Sequence, residues 1–239
     1  MVRCQPQAAF GELMVDRAET ETYLALDAAS ATGSPSRLYE NSKRLLDLLI
    51  AMVGLVLSAP LALVIWASIR IESRGPALFR QKRIGRFGAS FYILKFRTMY
   101  HRADEDLHRN HVHRLANSNG QALTLRVGND PRITRVGRFL RRWSLDELPN
   151  LWNVLKGEMS MVGPRPLVPY EIEVCGEEAL RRLWVKPGVT GLAQVNGRLD
   201  VSINERTDYD LVYVGENSLG RDIAIMARTP LTLLRRRGI

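Results

Sequence analysis

At 239 residues, 46% of them hydrophobic and 7% aromatic, the chain suits one sizeable folded domain rich in aliphatic residues, with a tail. Its formal net charge of +9 is unevenly placed: residues 1–42 hold three Arg against six acids, so the excess lies in the body, which calls for an anionic partner: nucleic acid, phosphorylated substrates or an acidic lipid surface. Cys4 and Cys175 have no ligand spacing and are too few for a disulfide framework, which excludes a cysteine-built scaffold or metal site.

Residues 1–41 have weak periodicity and end in Ala31-Thr32-Gly33-Ser34-Pro35-Ser36. They read as a mobile tail with one short helix around Arg17–Ala29. No secretory signal is expected, because Glu12, Asp16, Glu19 and Glu21 interrupt the first apolar stretch. Residues 42–239 then form the functional domain.

From Leu48 to Ile69 no charged residue occurs, and Lys43-Arg44 and Arg70 flank the run. A membrane helix over 44–70 follows, since such an apolar run covers roughly 33 Å, about the hydrocarbon thickness. Pro60 removes the amide that would reach the Val56 carbonyl, and Ser58 stands one turn away to relieve the fault. With basic residues on both flanks, a Pro-kinked helix that dips in and returns to the same face fits the positive-inside tendency. On either topology the large domain is cytoplasmic.

Ala77–Gln81 and Phe91–Phe96 read as short strands around a Gly85–Gly88 turn. Residues 100–120 hold His101, His108, His111 and His113 in no zinc spacing and read as a solvated linker. Leu148, Leu151, Trp152 and Leu155 repeat at helical spacing and should bury one face. Ile223–Leu234, closing on Arg235-Arg236-Arg237, reads as an interfacial helix with a basic end.

The segment Arg141-Arg142-Trp143-Ser144-Leu145-Asp146-Glu147-Leu148-Pro149 sets two cations beside two adjacent acids. A hard divalent ion is commonly held by one or two carboxylates together with substrate phosphate oxygens, so Asp146 and Glu147 are candidate Mg²⁺ ligands. An Asp carboxylate also serves as a nucleophile toward phosphorus. The structural alternative is a capping box between Ser144 and Glu147, which Pro149 weakens. In Gly163-Pro164-Arg165-Pro166 two prolines fix an Arg suited to gripping phosphate. Lys186–Arg198 adds three glycines with Gln194, Asn196 and Arg198, a loop in which backbone amides can approach phosphate or base edges. No P-loop is present, and the few aromatics build no stacking platform for nucleic acid.

Taken in order, these motifs resemble the bacterial sugar transferase family, the monotopic polyprenyl-phosphate phosphoglycosyl transferases of exopolysaccharide-priming type. The resemblance rests on Lys43-Arg44 with the Pro-broken helix, Gly75–Gly85, Leu94–Met99, Asp130–Thr134, Ser144–Pro149, Gly163–Pro166 and Pro187–Gly191, and covers roughly residues 42–237. It implies an α/β fold, a compact membrane-associated domain of short helices and few strands with a Pro-kinked re-entrant membrane helix. It also implies an enzyme of the bacterial inner membrane, catalytic domain on the cytoplasmic face, that transfers sugar-1-phosphate from a UDP-sugar to polyprenyl (undecaprenyl) phosphate with Mg²⁺. By resemblance Asp146 is the nucleophile, Glu147 its partner at the metal, Lys95, Arg141 and Arg165 the cations around the phosphates, and Asp222 a late acidic support. The sequence departs from the family's common Ser-Pro break, having Ser58-Ala59-Pro60. The rival from another class is a catalytically inactive membrane-anchored protein that binds nucleotide sugar or anionic lipid, against which the acidic dyad speaks.

Overall fold

The Ser36 hydroxyl accepts a hydrogen bond from the Tyr39 amide and so caps the first helix, α1 (Arg37–Glu72). The computed structural model describes residues 36–101, 130–172, 177–197 and 202–234; the short helix expected near Arg17–Ala29 and three of the four histidines fall outside them. At 36 residues, α1 is longer than the apolar run at both ends. It continues through Pro60, and the Ser58 hydroxyl donates to the Leu55 carbonyl at 3.4 Å rather than to Val56. It is long and apolar enough to cross a membrane by length and composition.

The two sides of α1 differ sharply. Leu45, Leu49, Met52, Val53, Val56, Leu57, Leu61, Leu63 and Val64 are exposed, an apolar surface far larger than a water-facing helix carries. On the other side Asp47, Ala51, Ile65 and Ile69 are buried. Ala51 packs with Phe91, Ile93, Leu151, Val154 and Met159, whereas Ile65 and Ile69 pack with Ala77, Phe96 and Leu140. Both ends of the helix are therefore seated on one and the same domain.

Polar contacts repeat that pattern. At the start of α1, Arg44 donates to the Val154 and Leu155 carbonyls, and Asp47 accepts from the Met161 amide and the Ser160 hydroxyl. At its end, Glu72 accepts from the Arg135 and Val136 amides, a carboxylate at the N-terminus of α2 (Arg135–Trp143), where the helix dipole favours it.

Strands β1 (Leu78–Ile84) and β2 (Ser90–Phe96) form the expected antiparallel hairpin, joined through a 3-10 turn at Arg86–Gly88. After α2, a 3-10 turn over Leu145–Glu147 leads to α3 (Asn150–Lys156) and β3 (Ser160–Val162). Short helices α4 (Pro169–Ile172) and α5 (Glu177–Leu180) and a 3-10 turn (Arg181–Trp184) then lead to β4 (Gly188–Thr190), which pairs in parallel with β3. The chain closes with α6 (Leu192–Asn196), α7 (Ile203–Gly215) and α8 (Leu219–Leu234). This is a mixed assembly of helices and few strands, as the sequence implied.

One expected core residue lies elsewhere. Trp152 is half exposed, and α3 buries Asn150, Leu151, Asn153 and Val154 instead. The reason is Asn153: its amide donates to the Tyr92 carbonyl and its oxygen accepts from the Leu94 amide, so it splices α3 onto the edge of β2 and turns Trp152 outward.

Candidate active site

The acidic dyad sits on a sharp corner. Ser144 adopts the left-handed conformation (φ 56°), ending α2 and turning the chain into the 3-10 turn that carries Asp146 and Glu147. Pro149 then begins α3, where its missing amide is harmless, and the Leu145 carbonyl is taken by the Leu148 amide at 3.3 Å. The capping box between Ser144 and Glu147 does not form, because the Ser144 side chain makes no capping bond. Glu147 is drawn instead to two cations.

Lys95 Nζ on β2 lies 2.6 Å from Glu147 Oε1, and Arg165 Nη1 lies 3.2 Å from the same oxygen. Both are charge-assisted contacts of the stronger kind. Arg165 stands on the loop after β3, which is held from behind: Arg83 donates to the Pro166 carbonyl, Arg182 to the Arg165 carbonyl, and the Gly163 amide to Thr190. A Cβ on Gly188 would lie 2.1 Å from the Gly163 nitrogen, so only glycine permits this approach. Arg141 on α2 is oriented by Thr98, whose hydroxyl accepts from Nε at 2.8 Å.

Electrostatics separates the two acids. Among the described residues Asp146 makes no ion pair, whereas Glu147 makes two. Burial, then the adjacent Glu147 charge, pushes the Asp146 carboxyl above its usual range, and Lys95, Arg141 and Arg165 oppose that rise. Burial lowers the Lys95 ammonium, against the pull of Glu147. Burial also acts to lower Arg165, but Glu147 and Glu171 outweigh it and hold the guanidinium above its usual value. The structure thus brings together five of the residues singled out from sequence: Lys95, Arg141, Asp146, Glu147 and Arg165. An exposable carboxylate flanked by three cations is arranged to meet a phosphorylated group.

Among the described residues no three His, Cys, Asp or Glu gather as a ready metal cage. Two adjacent carboxylates fit Mg²⁺, which takes most of its remaining ligands from water and substrate phosphate.

Two other sequence candidates lie apart from this cluster. Asp222 is buried, paired with Lys43 at 2.8 Å, and accepts from the Tyr213 and Tyr39 hydroxyls. It fastens α8 to α1. The Gln194 amide donates to the Val189 carbonyl, inside its own loop. Arg198 lies outside the described residues. Sequence reasoning missed Thr98, which orients Arg141, and the Tyr213 and Lys43 pair that both donate to the Val162 carbonyl, just before the Arg165 loop. The basic pair Lys43-Arg44 ahead of the apolar run was the available signal for the second.

A family model described as bacterial sugar transferase matches residues 38–236. The undecaprenyl-phosphate galactose phosphotransferase of Salmonella typhimurium is 41% identical over 196 residues, which cover 82% of this chain and 41% of that protein. Exopolysaccharide production protein ExoY of Rhizobium meliloti is 43% identical over 199 residues, covering 83% of this chain and 88% of that protein. The UDP-glucose:undecaprenyl-phosphate glucose-1-phosphate transferase of Caulobacter vibrioides is 42% identical over 200 residues, covering 80% and 69%. The chain thus spans about two-fifths of the Salmonella relative and most of ExoY.

Proposed function

The chain belongs to the bacterial sugar transferase family, and we propose that it transfers sugar-1-phosphate from a UDP-hexose to undecaprenyl phosphate, releasing UMP. The observation that carries this reading is the unequal dyad: Glu147 is neutralised by Lys95 and Arg165, while Asp146 beside it has no ion pair among the described residues. A carboxylate without a partner is free to attack. The hexose class is supported by the galactose and glucose in the names of relatives.

The reaction proceeds in two displacements at phosphorus. An Asp146 carboxylate oxygen attacks the β-phosphorus, the bond to the oxygen bridging the α-phosphate breaks, and that oxygen leaves with its electron pair as part of UMP. An oxygen of the lipid phosphate then attacks the same phosphorus, and the Asp146 carboxylate departs. Lys95, Arg141 and Arg165 orient the diphosphate and offset its charge. When bound, Mg²⁺ at Asp146 and Glu147 supplies charge neutralisation at the phosphate oxygens.

The membrane disposition follows from α1. One and the same domain touches both ends of this helix, which supports a re-entrant path with both ends on the cytoplasmic side of the inner membrane. Exposed Ile223, Leu231 and Leu234 on α8 fit the same interface.

The test is a UMP-release assay over a panel of UDP-sugars, with and without polyprenyl phosphate. UMP in an amount near one per enzyme without acceptor, with a sugar-phosphate adduct on Asp146, is expected. UMP formation only with lipid present, and no adduct, would replace the covalent route with direct displacement.

A further inference from the structure

Proline has no backbone N–H, so Gly163-Pro164-Arg165-Pro166 offers few amides and the loop that carries Arg165 is held chiefly by its carbonyls. Four carbonyls in a row are taken, each by a different donor. The Pro164 oxygen accepts from the Gly188 amide at 2.9 Å and the Arg165 oxygen from Arg182 Nη2 at 3.3 Å. The Pro166 oxygen accepts from Arg83 Nη1 at 3.0 Å and the Leu167 oxygen from the Ile84 amide at 2.9 Å. Three of these donors stand on strands β4 and β1, whereas Arg182 stands on the 3-10 turn Arg181–Trp184, outside both sheets.

The direction of the Arg182 fork is set by Asp210 on α7. Both residues are buried and form an ion pair. One nitrogen, Arg182 Nη2, donates both to Asp210 Oδ2 and to the Arg165 carbonyl. A guanidinium nitrogen is planar and carries its two hydrogens in fixed directions. With one hydrogen drawn to the Asp210 carboxylate, the other is aimed at the Arg165 carbonyl. Arg165 in turn holds Nη1 at 3.2 Å from Glu147 Oε1. A continuous line of contacts thus runs from α7 through the loop backbone to the dyad.

We infer that Asp210 is a positioning residue for the transfer: acting through Arg182, it sets the Arg165 guanidinium beside Glu147, where the diphosphate is met. The inference rests on the transfer reading for what Arg165 meets. Buried Asp210 acts on the substrate only through the Arg165 backbone. An Arg165 carbonyl released from Arg182 lets the loop turn and carries the guanidinium off the diphosphate, and a misplacement of about 1 Å can cost up to roughly a hundredfold in rate.

The experiment is a mutant cycle on the full chain in detergent. Arg182→Met with Asp210→Leu removes both charges together, an exchange that buried pairs commonly tolerate, whereas either change alone leaves a buried charge unpaired. The rate of the UMP burst and the affinity for UMP are measured in four proteins: wild type, this pair variant, Arg165→Ala, and the two combined. Beside an intact Arg165, the pair variant should slow the burst about tenfold or more and weaken UMP binding. In the Arg165→Ala background the same exchange should change either quantity by less than about twofold, because no guanidinium is left to aim. Equal losses in both backgrounds would assign Arg182 and Asp210 to holding the interior together and overturn the inference, as would no loss beside an intact Arg165. If the pair variant does not fold, Asp210→Glu, which keeps the charge and moves it by one methylene, goes through the same cycle with the same expected pattern. A wild type that binds UMP but releases none from any UDP-sugar would sink the transfer reading, and the UMP affinities would still decide the role of Asp210. A wild type that binds no UMP would overturn both.

Discussion

Lys43, about two turns into the long helix, and Asp222, at the start of the last helix, form an ion pair at 2.8 Å that is closed over by the Tyr39 and Tyr213 hydroxyls. Lys43 and Tyr213 also donate to the Val162 carbonyl, one residue before the loop that carries Arg165. The long apolar helix is thereby tied to the start of the Arg165 loop through one backbone oxygen.

Removing one member of that pair leaves the other charge buried, which costs about 3 kcal/mol or more. Lys43→Met and Asp222→Asn should each lower the chemical-denaturation midpoint in detergent, and the double variant should lose less than the two losses added together. Strict additivity would show that the two residues act separately.

Burial and Glu147 raise the Asp146 carboxyl, and a nucleophile must be ionised. The UMP burst should therefore rise with pH through a limb lying above the ordinary carboxylate range. Lys95 opposes the rise, so Lys95→Met should move that limb to still higher pH. A limb that stays in place in the variant would mean that Lys95 does not act on Asp146.

Asp146→Asn keeps the shape and removes the attacking charge, and should abolish both burst and adduct. Glu147→Gln should slow both halves of the reaction and weaken the response to Mg²⁺. Chelation of divalent ions should stop UMP release in the wild type. Full activity in chelator would remove the metal from the account.

Residues before Ser36 should be dispensable for turnover. A chain beginning at Asn41 is a harsher cut, for it removes the Tyr39 contact to Asp222 and the Glu40 pair with Arg86. It should lose about 1–2 kcal/mol of stability, near the scale of two hydrogen bonds. Equal thermal midpoints for the two truncations would show that the first turn of α1 adds nothing.

Cysteines placed at Ser42 and Ser73, with Cys4 and Cys175 removed, should both resist a membrane-impermeant thiol reagent in intact cells. Labelling at position 42 alone would establish a spanning helix. Pro60→Ala should expose position 42 in part of the population.

The hairpin, the apolar helix and four charged residues of the cluster, Arg141, Asp146, Glu147 and Arg165, were legible because each depends on local pattern: β-prone runs, an uncharged run, motifs of adjacent residues; Lys95 entered through the family resemblance alone. What was not legible depends on distant partners. Ser144 and Glu147 had the spacing of a capping box, but Lys95 and Arg165, far along the chain, offered Glu147 charged partners, and Ser144 adopts the left-handed conformation without a capping bond. Trp152 followed the helical repeat and still faced outward, because Asn153 had a strand edge to satisfy. Asp222 entered by resemblance as a late acidic support of the site, and only the fold reveals that its partner is Lys43.

Because α1 is seated on the domain at both ends, its greasy side and the dyad are parts of one rigid body. In the membrane disposition proposed above, the depth at which Val56 and Leu57 come to rest in lipid would fix the height of Asp146 above the headgroups. Sliding the apolar stretch by one helical turn would shift that height by up to about 5 Å. The helix would then work as a ruler, setting how far the proposed lipid phosphate must rise to be reached.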